Sequence, residues 1–315
     1  MFPAISTAVV LGLAGSSLAT TYNIQDTYIG SEFLSGFTWE AIADPTNGRV
    51  NYVSQATALA DNLTFTSSDT LIMRADYTTT LTASGPGRNS VRIQSNNAYT
   101  YALMVLDVRH MPEGCATWPA FWTTGATDWP DCGEIDIIEG VNDETPNLTS
   151  LHTGANCTMP ATGRTMLGTS VSTDCDANDN SNQGCGVDSS FSNSFGPPFN
   201  SNGGGIYAME RTSTSISVWF WPRNSGLAPA AVSSGASTLD TSTFGEPDAT
   251  FVNTDCDIPS HFTAHNIIFD LTLCGDWAGN AYPSTCPSDC IDYVNNNPSD
   301  FINAYWDVAS LRVYE

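Results

Sequence analysis

Residues 129–140 read W-P-D-C-G-E-I-D-I-I-E-G and carry three acidic side chains, Glu134, Asp136 and Glu139. Isoleucines separate these acids, and isoleucine favours strands. The acidic run is short and is closed by a glycine at each end, so it predicts a β-strand rather than a helix. Because side chains alternate along a strand, Glu134 and Asp136 lie on one face. A β-bulge at residues 137–138 would return Glu139 to that same face.

This geometry predicts a pair of cooperating carboxyl groups. The two glutamates lie roughly 13 Å apart between Cα atoms at ~3.3 Å per strand step. If their side chains lean toward each other, the carboxyl groups are roughly 5 Å apart, which is the separation found in retaining glycosidases. The alternative is the solvated acidic face of a surface strand. Repulsion between like charges on one strand face counts against that alternative.

Tryptophans surround the acidic strand in sequence. Trp118, Trp122 and Trp129 all precede Glu134 within sixteen residues. Indole rings combine a large apolar face with a polar N–H, so they suit sugar rings as well as protein cores. Each of the three can therefore belong to a carbohydrate cleft or to the core, and their position beside a carboxylate row favours the cleft.

The N-terminus predicts an exported protein. Residues 1–19 have an apolar segment at 8–14 and small residues at the expected cleavage position, as in a secretory signal peptide, although the segment lacks Lys and Arg. The apolar run is shorter than the ~20 residues of a transmembrane anchor. We therefore expect a soluble, secreted, extracellular product. Its length of 315 residues allows one large β domain or two smaller ones.

Cysteines, sequons and charge are consistent with export. The nine cysteines allow at most four disulfides and leave one free thiol. N-x-S/T sequons begin at Asn62, Asn147 and Asn156. The formal net charge of −24 argues against nucleic acid and anionic membrane as partners, because both attract basic surfaces.

The rest of the chain predicts an all-β protein. Short segments rich in β-branched and aromatic residues, bounded by turn formers, lie at residues 70–75, 90–94, 101–108, 215–221, 266–273 and 305–314. No amphipathic helix longer than three turns is predicted. Residues 172–205 and 223–250 are predicted as long connections. Neither connection separates two independent sets of strands, so we expect one domain over residues 20–315.

The motif G-E-I-D-I-I-E-G, with T-W-P-A-F-W before it and L-H-T-G after it, resembles glycoside hydrolase family 16. The blocks G-P-G-R-N-S-V-R-I, D-V-R-H-M-P and L-C-G-D-W-A-G extend the resemblance over nearly the whole chain, which is most similar to the secreted fungal laminarinases. The resemblance implies a concanavalin A-like β-sandwich jelly roll with a concave substrate cleft. The spacing E-x-D-x-x-E is that of the laminarinase branch.

The resemblance also implies catalytic roles. Glu134 matches the nucleophile, Glu139 the general acid/base, and Asp136 the residue that holds the geometry and charge of the nucleophile. Two nearby carboxyl groups differ in protonation naturally, because ionising one raises the pKa of the other. The implied substrate contacts are Trp118, Trp122, Trp277, His152, Arg92 and Asn62, with Trp129 as a further candidate.

Two positions depart from the family pattern. Cys132 stands where relatives usually have a small residue, so we predict that it is the unpaired cysteine. Many members bind a structural calcium through an aspartate in the last strand, and the corresponding residue here is Ala309. We therefore predict no metal and no cofactor, and expect that Asp307 caps or faces solvent rather than replacing that ligand.

The predicted function is a monomeric endo-hydrolase of β-glucan polysaccharide, acting on laminarin and on mixed-linkage glucan. A cell-wall transglycosylase would use the same glutamates and differ only in the acceptor of the second step. A non-catalytic glucan-binding protein is the third possibility, and a replaced glutamate would have favoured it.

Overall fold

The computed structural model describes residues 21–315, so the predicted signal peptide lies outside the described residues. The strands are β1 (Thr21–Tyr28), β2 (Phe37–Trp39), β3 (Val50–Tyr52), β4 (Thr64–Thr66), β5 (Leu71–Arg74), β6 (Arg88–Ser90), β7 (Arg92–Tyr99), β8 (Ala102–His110), β9 (Thr117–Gly125), β10 (Glu134–Glu139), β11 (Leu148–His152), β12 (Thr169–Ser170), β13 (Cys185–Asp188), β14 (Gly205–Arg211), β15 (Ser215–Pro222), β16 (Thr238–Asp240), β17 (Ala249–Val252), β18 (His265–Leu273) and β19 (Tyr305–Tyr314). The helices are α1 (Glu32–Gly36), α2 (Gln55–Ala60), α3 (Gly196–Ser201), α4 (Ala230–Ser234), α5 (Ile258–His261) and α6 (Cys290–Asn296), with single turns at Thr241–Thr243, Gly275–Gly279 and Pro298–Asn303.

The strands form two large antiparallel sheets. Sheet I has eight strands in the order β12-β13-β11-β10-β9-β18-β7-β2, and it contains the acidic strand β10. Sheet II has nine strands, seven of them in the order β16-β1-β19-β8-β14-β15-β17, with β5 pairing β19 and β4 pairing β5. Strands distant in sequence are neighbours in both sheets, as in a jelly roll. The all-β prediction is confirmed.

The main core lies between the two sheets. The isoleucines of β10, at 135, 137 and 138, are fully buried there against Phe121 of β9 and Phe269 of β18. Sheet II contributes side chains such as Met104 and Tyr207 to the same core. The apolar residues of β10 thus anchor the strand, and its acids are left for the outer face of sheet I.

Both predicted connections contain short elements. Residues 172–205 include β13 and α3, and residues 223–250 include α4 and β16. The second segment returns over the outer face of sheet II, where its Val232, Leu239 and Phe244 pack on that sheet. The helices in the described residues are at most 7 residues long, as predicted.

Four disulfides, Cys115–Cys286, Cys157–Cys256, Cys175–Cys185 and Cys274–Cys290, are consistent with an extracellular protein. Cys132 is free and buried, which confirms its prediction as the unpaired cysteine. Within residues 21–315, no helix is long and apolar enough to cross a membrane.

Candidate active site

The acidic strand contains the predicted bulge. On the β9 side, Asp136 lies opposite Trp122 while Ile138 lies opposite Phe121, so β10 has one residue more than its partner. On the β11 side, pairing also shifts between Asp136 and Glu139. The extra residue falls at 137–138, which confirms the predicted position. The three acids therefore share the outer face of sheet I.

Strand register gathers other polar side chains on that face. In β11, His152 lies directly opposite Glu134 and Ser150 opposite Asp136. Opposed residues of antiparallel strands point to the same side of the sheet. The prediction that the strand of His152 pairs with the acidic strand is confirmed.

Each acid on β10 accepts a hydrogen bond from a neighbouring side chain. The indole N–H of Trp129 donates to Oε2 of Glu134 at 3.0 Å, and that of Trp118 donates to Oε1 of Glu139 at 2.9 Å. The Ser150 hydroxyl donates to Oδ2 of Asp136 at 2.9 Å. These contacts fix the orientations of the carboxyl groups.

Burial dominates the electrostatics of the three acids. It raises the pKa of Glu134 to about 8, with the negative charge of Glu139 adding to the shift. Burial likewise raises the pKa of Asp136 and of Glu139 well above their usual values. Among the described residues, no lysine or arginine forms an ion pair with these carboxyl groups. The site therefore holds at least one proton near neutral pH.

His152 forms a buried link between Asp136 and a loop. Its Nδ1 lies 2.8 Å from Oδ1 of Asn182, and its Nε2 lies 3.4 Å from Oδ2 of Asp136. Burial lowers the pKa of His152, so the ring is neutral at neutral pH. With Nδ1 donating to Asn182, Nε2 presents a lone pair, which suits a protonated Asp136.

The same group also offers potential metal ligands. Donor atoms of Glu134, Asp136 and His152 all lie within 4.8 Å of one another. However, Oε2 of Glu134 already accepts a hydrogen bond from Trp129 and Oδ2 of Asp136 accepts one from Ser150, and burial favours the neutral carboxyl forms. The donor set thus fits proton chemistry better than a cation.

Arg92 is at the centre of a second charged group on the same face. Its Nε donates to Glu40 at 2.7 Å and its NH1 to Asp270 at 3.1 Å, and its guanidinium lies 4.9 Å from the centroid of the Trp122 ring. The Trp122 indole N–H also donates to Asp270, at 3.3 Å. Burial raises the pKa of Asp270 to about 7, against the opposing effect of Arg92.

Sequence reasoning missed Glu40, Asp270 and Asn182. Asp270 interrupts an apolar strand, I-I-F-D-L, and this was the available signal for an acid on a sheet face. Its proximity to Arg92 depends on β18 pairing with β7, which the sequence does not reveal.

The aromatic candidates lie at different depths. Trp118 and Trp277 are half-buried and meet edge to face, with ring centroids 5.6 Å apart. Trp122 is also half-buried, and Trp129 is 49% exposed. All four are partly exposed, and each lies beside an acid of β10 or beside a tryptophan that bonds to one.

Asn62, predicted as a polar contact in the cleft, lies two residues beyond the end of helix α2. It is exposed in the turn between α2 and β4, with a left-handed φ of 55°. Strand β4 belongs to sheet II, whereas the acids lie on sheet I. The Thr64 hydroxyl of β4 accepts a hydrogen bond from the indole N–H of Trp39 in β2, so this part of the chain also adjoins the edge of sheet I. The role of Asn62 as a substrate contact stays a prediction.

Comparisons with known proteins are consistent with this geometry. The model of the XgeA-like catalytic domain of glycoside hydrolase family 16 matches residues 37–314. Laminarinase 16A of Phanerochaete chrysosporium, solved with 6-O-glucosyl-laminaritriose in donor and acceptor sites, is 62% identical over 94% of this chain and all of that one, with a TM-score of 0.93. An elongating family 16 β-1,3-glucosyltransferase is 40% identical over 93% of this chain and all of that one, with a TM-score of 0.86.

A curated protein sequence is also similar to this chain. The endo-1,3(4)-β-glucanase of Emericella nidulans is 41% identical over 99% of this chain and 50% of its own length. The chain thus spans about half the length of this relative. The family model covers the acidic strand and every strand of the two large sheets except β1, and the chain belongs to the XgeA-like catalytic domains of glycoside hydrolase family 16.

Proposed function

We propose that this chain is a secreted, retaining endo-β-1,3(4)-glucanase that cleaves laminarin and mixed-linkage glucan as a single catalytic domain over residues 20–315. One observation carries the proposal. Glu134 and Glu139 share one face across a bulge, each with a carboxyl oxygen fixed by an indole N–H. This arrangement supplies two oriented carboxyl groups in an aromatic cleft, as double displacement requires.

In the first step, Glu134 acts in its ionised form, which its pKa of about 8 makes the minor form at neutral pH, and a carboxylate oxygen attacks the anomeric carbon of a glucosyl unit. The glycosidic C–O bond breaks, and the leaving oxygen takes the proton of Glu139. The raised pKa of Glu139 keeps that proton available at mildly acidic and neutral pH. The products of this step are a glucosyl ester on Glu134 and a shortened chain.

In the second step, the ionised Glu139 removes a proton from water. The water oxygen attacks the anomeric carbon, the ester bond to Glu134 breaks, and the sugar leaves with its original β configuration. Asp136, held by Ser150 and facing neutral His152, retains a proton and so limits the negative charge beside Glu134.

Substrate binding is assigned to the aromatic and charged groups around the acids. Trp118, Trp122, Trp129 and Trp277 supply apolar faces for glucosyl rings. Arg92, fixed by Glu40 and Asp270, supplies hydrogen-bond donors and holds the Trp122 ring. His152 completes the polar wall near Glu134. Several subsites in one cleft favour cutting within a polymer.

The likeness to the elongating glucosyltransferase supports a second candidate, transglycosylation. In that reaction, a sugar hydroxyl replaces water in the second step, and both glutamates keep their roles. Chain length of the products distinguishes the two candidates.

The test is product analysis by NMR on laminarin and on mixed-linkage glucan, with Glu134→Gln as the inactive variant. Glu210→Gln is the matched control, because Glu210 is a buried glutamate on sheet II. We expect shorter oligosaccharides that appear first as β anomers, from the wild type and the control only. Initial α anomers would contradict the nucleophile assignment, and products longer than the substrate would favour transglycosylation. Binding without cleavage would leave only a glucan-binding protein.

A further inference from the structure

The bulge in β10 leaves a gap in the ladder with β11, and the side chain of Asn147 fills it. Backbone pairing passes from Asp136 opposite Ser150 to Glu139 opposite Leu148. Across this gap, the Glu139 N–H donates to Oδ1 of Asn147 at 3.0 Å, and Nδ2 of Asn147 donates to the Ile137 carbonyl at 3.0 Å. The amide therefore replaces the missing ladder contacts at the extra residue.

The partners of Asn147 determine how its amide is oriented. A backbone N–H can only donate and a carbonyl can only accept, so exchanging the amide oxygen and nitrogen would lose both bonds. The Thr149 hydroxyl also donates to the Ile137 carbonyl at 3.3 Å. On its main-chain side, the Asn147 N–H donates to Ser194 at 2.9 Å. Asn147 is thus held at both ends and is 1% exposed.

We propose that Asn147 is a positioning residue for Glu139: its side-chain amide fixes the bulge and thereby aims the Glu139 carboxyl at the glycosidic oxygen. The inference rests on the proposed function, because it assumes that Glu139 is the general acid. The hydrogen bonds of Asn147 do not include one to the carboxyl group itself. Its effect passes through the backbone N–H of Glu139 and the carbonyl of Ile137.

The proposal also predicts whether one sequon is glycosylated. Asn147, Leu148 and Thr149 form an N-x-T sequon, yet the Asn147 amide and the Thr149 hydroxyl both bond within the fold. A glycan on Nδ2 would have no path to solvent from a side chain that is 1% exposed. We therefore expect Asn147 to remain unmodified in the folded protein. Asn62 and Asn156, in contrast, are exposed.

Asn147→Asp is the informative substitution. One carboxylate oxygen can still accept from the Glu139 N–H, but the other faces the Ile137 carbonyl, and two acceptors repel. Asn200→Asp is the matched control. Asn200 makes the same pair of bonds, to the N–H and carbonyl of Met111, both at 2.9 Å, and its Nδ2 also donates to Glu113 at 2.7 Å. Asn200→Asp therefore disturbs a comparable amide at least as strongly, without bonding to β10.

The readout is kcat/KM, which reports the bond-breaking step, on laminarin and on a dinitrophenyl β-laminaribioside. The aryl leaving group needs no proton, so a misplaced acid matters little for it. For Asn147→Asp we expect a fall of roughly 30- to 100-fold on laminarin and below about threefold on the aryl glycoside. Asn200→Asp should change both substrates equally, and melting temperatures verify that both variants fold.

Three outcomes would overturn the proposal. Equal falls in kcat/KM on both substrates for Asn147→Asp would mean that Asn147 contributes only to stability. A glycan on Asn147, found by peptide mass spectrometry of the secreted wild type, would show that its amide does not bond to both Ile137 and Glu139. This test requires no variant. A wild type without activity on either substrate would overturn the proposed function, and this inference with it, whereas the first two outcomes leave the proposed function intact.

Discussion

The outer faces of the two sheets both carry tryptophans, but only one of these faces is covered. On sheet II, Trp219 and Trp221 are each 5% exposed and pack edge to face against Phe244, with centroid distances of 5.4 and 5.3 Å. On sheet I, Trp118 and Trp122 are half-buried, with Trp277 packed edge to face against Trp118 at a centroid distance of 5.6 Å.

The partners of the indole N–H groups differ in the same way. On sheet II, the Trp219 N–H donates to the backbone carbonyl of Gly245 in the covering segment. On sheet I, Trp118 and Trp122 donate to the carboxyl groups of Glu139 and Asp270. The same residue type thus closes a core on one sheet and orients acids in an open cleft on the other. Substitutions on the two faces should have opposite consequences for stability and activity.

The largest expected difference between the faces concerns their acids. Glu134→Gln on sheet I should lower kcat on laminarin by at least ~10³-fold, because a neutral amide cannot form the glycosyl ester. Glu210→Gln on sheet II should leave kcat unchanged. Steady-state kinetics at 25 °C measure both. Substantial residual hydrolysis by Glu134→Gln, after contaminating wild type is excluded, would assign the nucleophile to another residue.

The sequence was sufficient for the acidic strand but not for its surroundings. The spacing of Glu134, Asp136 and Glu139 encodes both the strand and its bulge, because alternation is a local property. The pairing of β18 with β7, which joins Asp270 to Arg92, brings together residues 178 apart in sequence. No local pattern encodes that neighbour, nor the loop position of Asn182.

The same limit applies to the tryptophans of sheet II. The strand containing Trp219 reads S-I-S-V-W-F-W, and its composition alone does not reveal that residues 228–244 cover it. Cys132, in contrast, was predicted as unpaired, from the odd cysteine count and its departure from the family pattern.

The second largest effect is expected on the covered face. Trp219→Ala removes a buried indole and leaves a cavity beneath Phe244, so unfolding free energy should fall by about 3–5 kcal/mol. Because the site lies on the other sheet, kcat/KM of the folded fraction should not change. Urea denaturation and kinetics at low temperature measure the two quantities. A selective loss of activity with intact stability would mean that sheet II also binds substrate.

A smaller effect, on activity rather than on stability, is expected on the outer face of sheet I. Trp122→Ala should lower kcat/KM on laminarin roughly 10- to 100-fold, because it removes an indole face from the cleft and the packing partner of Arg92. Its melting temperature should fall less than that of Trp219→Ala, since Trp122 is only half-buried. Trp122→Phe keeps a ring and should be intermediate in activity. If Trp122→Ala unfolds as readily as Trp219→Ala and keeps its kcat/KM, the two faces are equivalent.

The smallest expected effect is the pH-dependent loss of folding stability that results from burying Glu134 on sheet I. The pKa of Glu134 rises from 4.5 to about 8 on folding, so between these values the folded state binds a proton that the unfolded state has lost. Stability from this group is therefore fully present below about pH 4.5 and decreases as pH rises to about 8. Glu134→Gln removes this dependence.

We expect Glu134→Gln and the wild type to melt at similar temperatures near pH 4, and the variant to melt about 2–5 °C higher near pH 8. His265, whose pKa burial lowers to about 3, destabilises both proteins equally as pH falls below about 6.5, so it cancels in the difference. Glu246→Gln, at an exposed position, is the matched control and should follow the wild type at every pH. A melting difference for Glu134→Gln that does not grow with pH would mean that Glu134 ionises in the folded protein as readily as in the unfolded chain. Sheet I would then hold Glu134 with no loss of folding stability, and the two outer faces would differ only in the environment of their tryptophans.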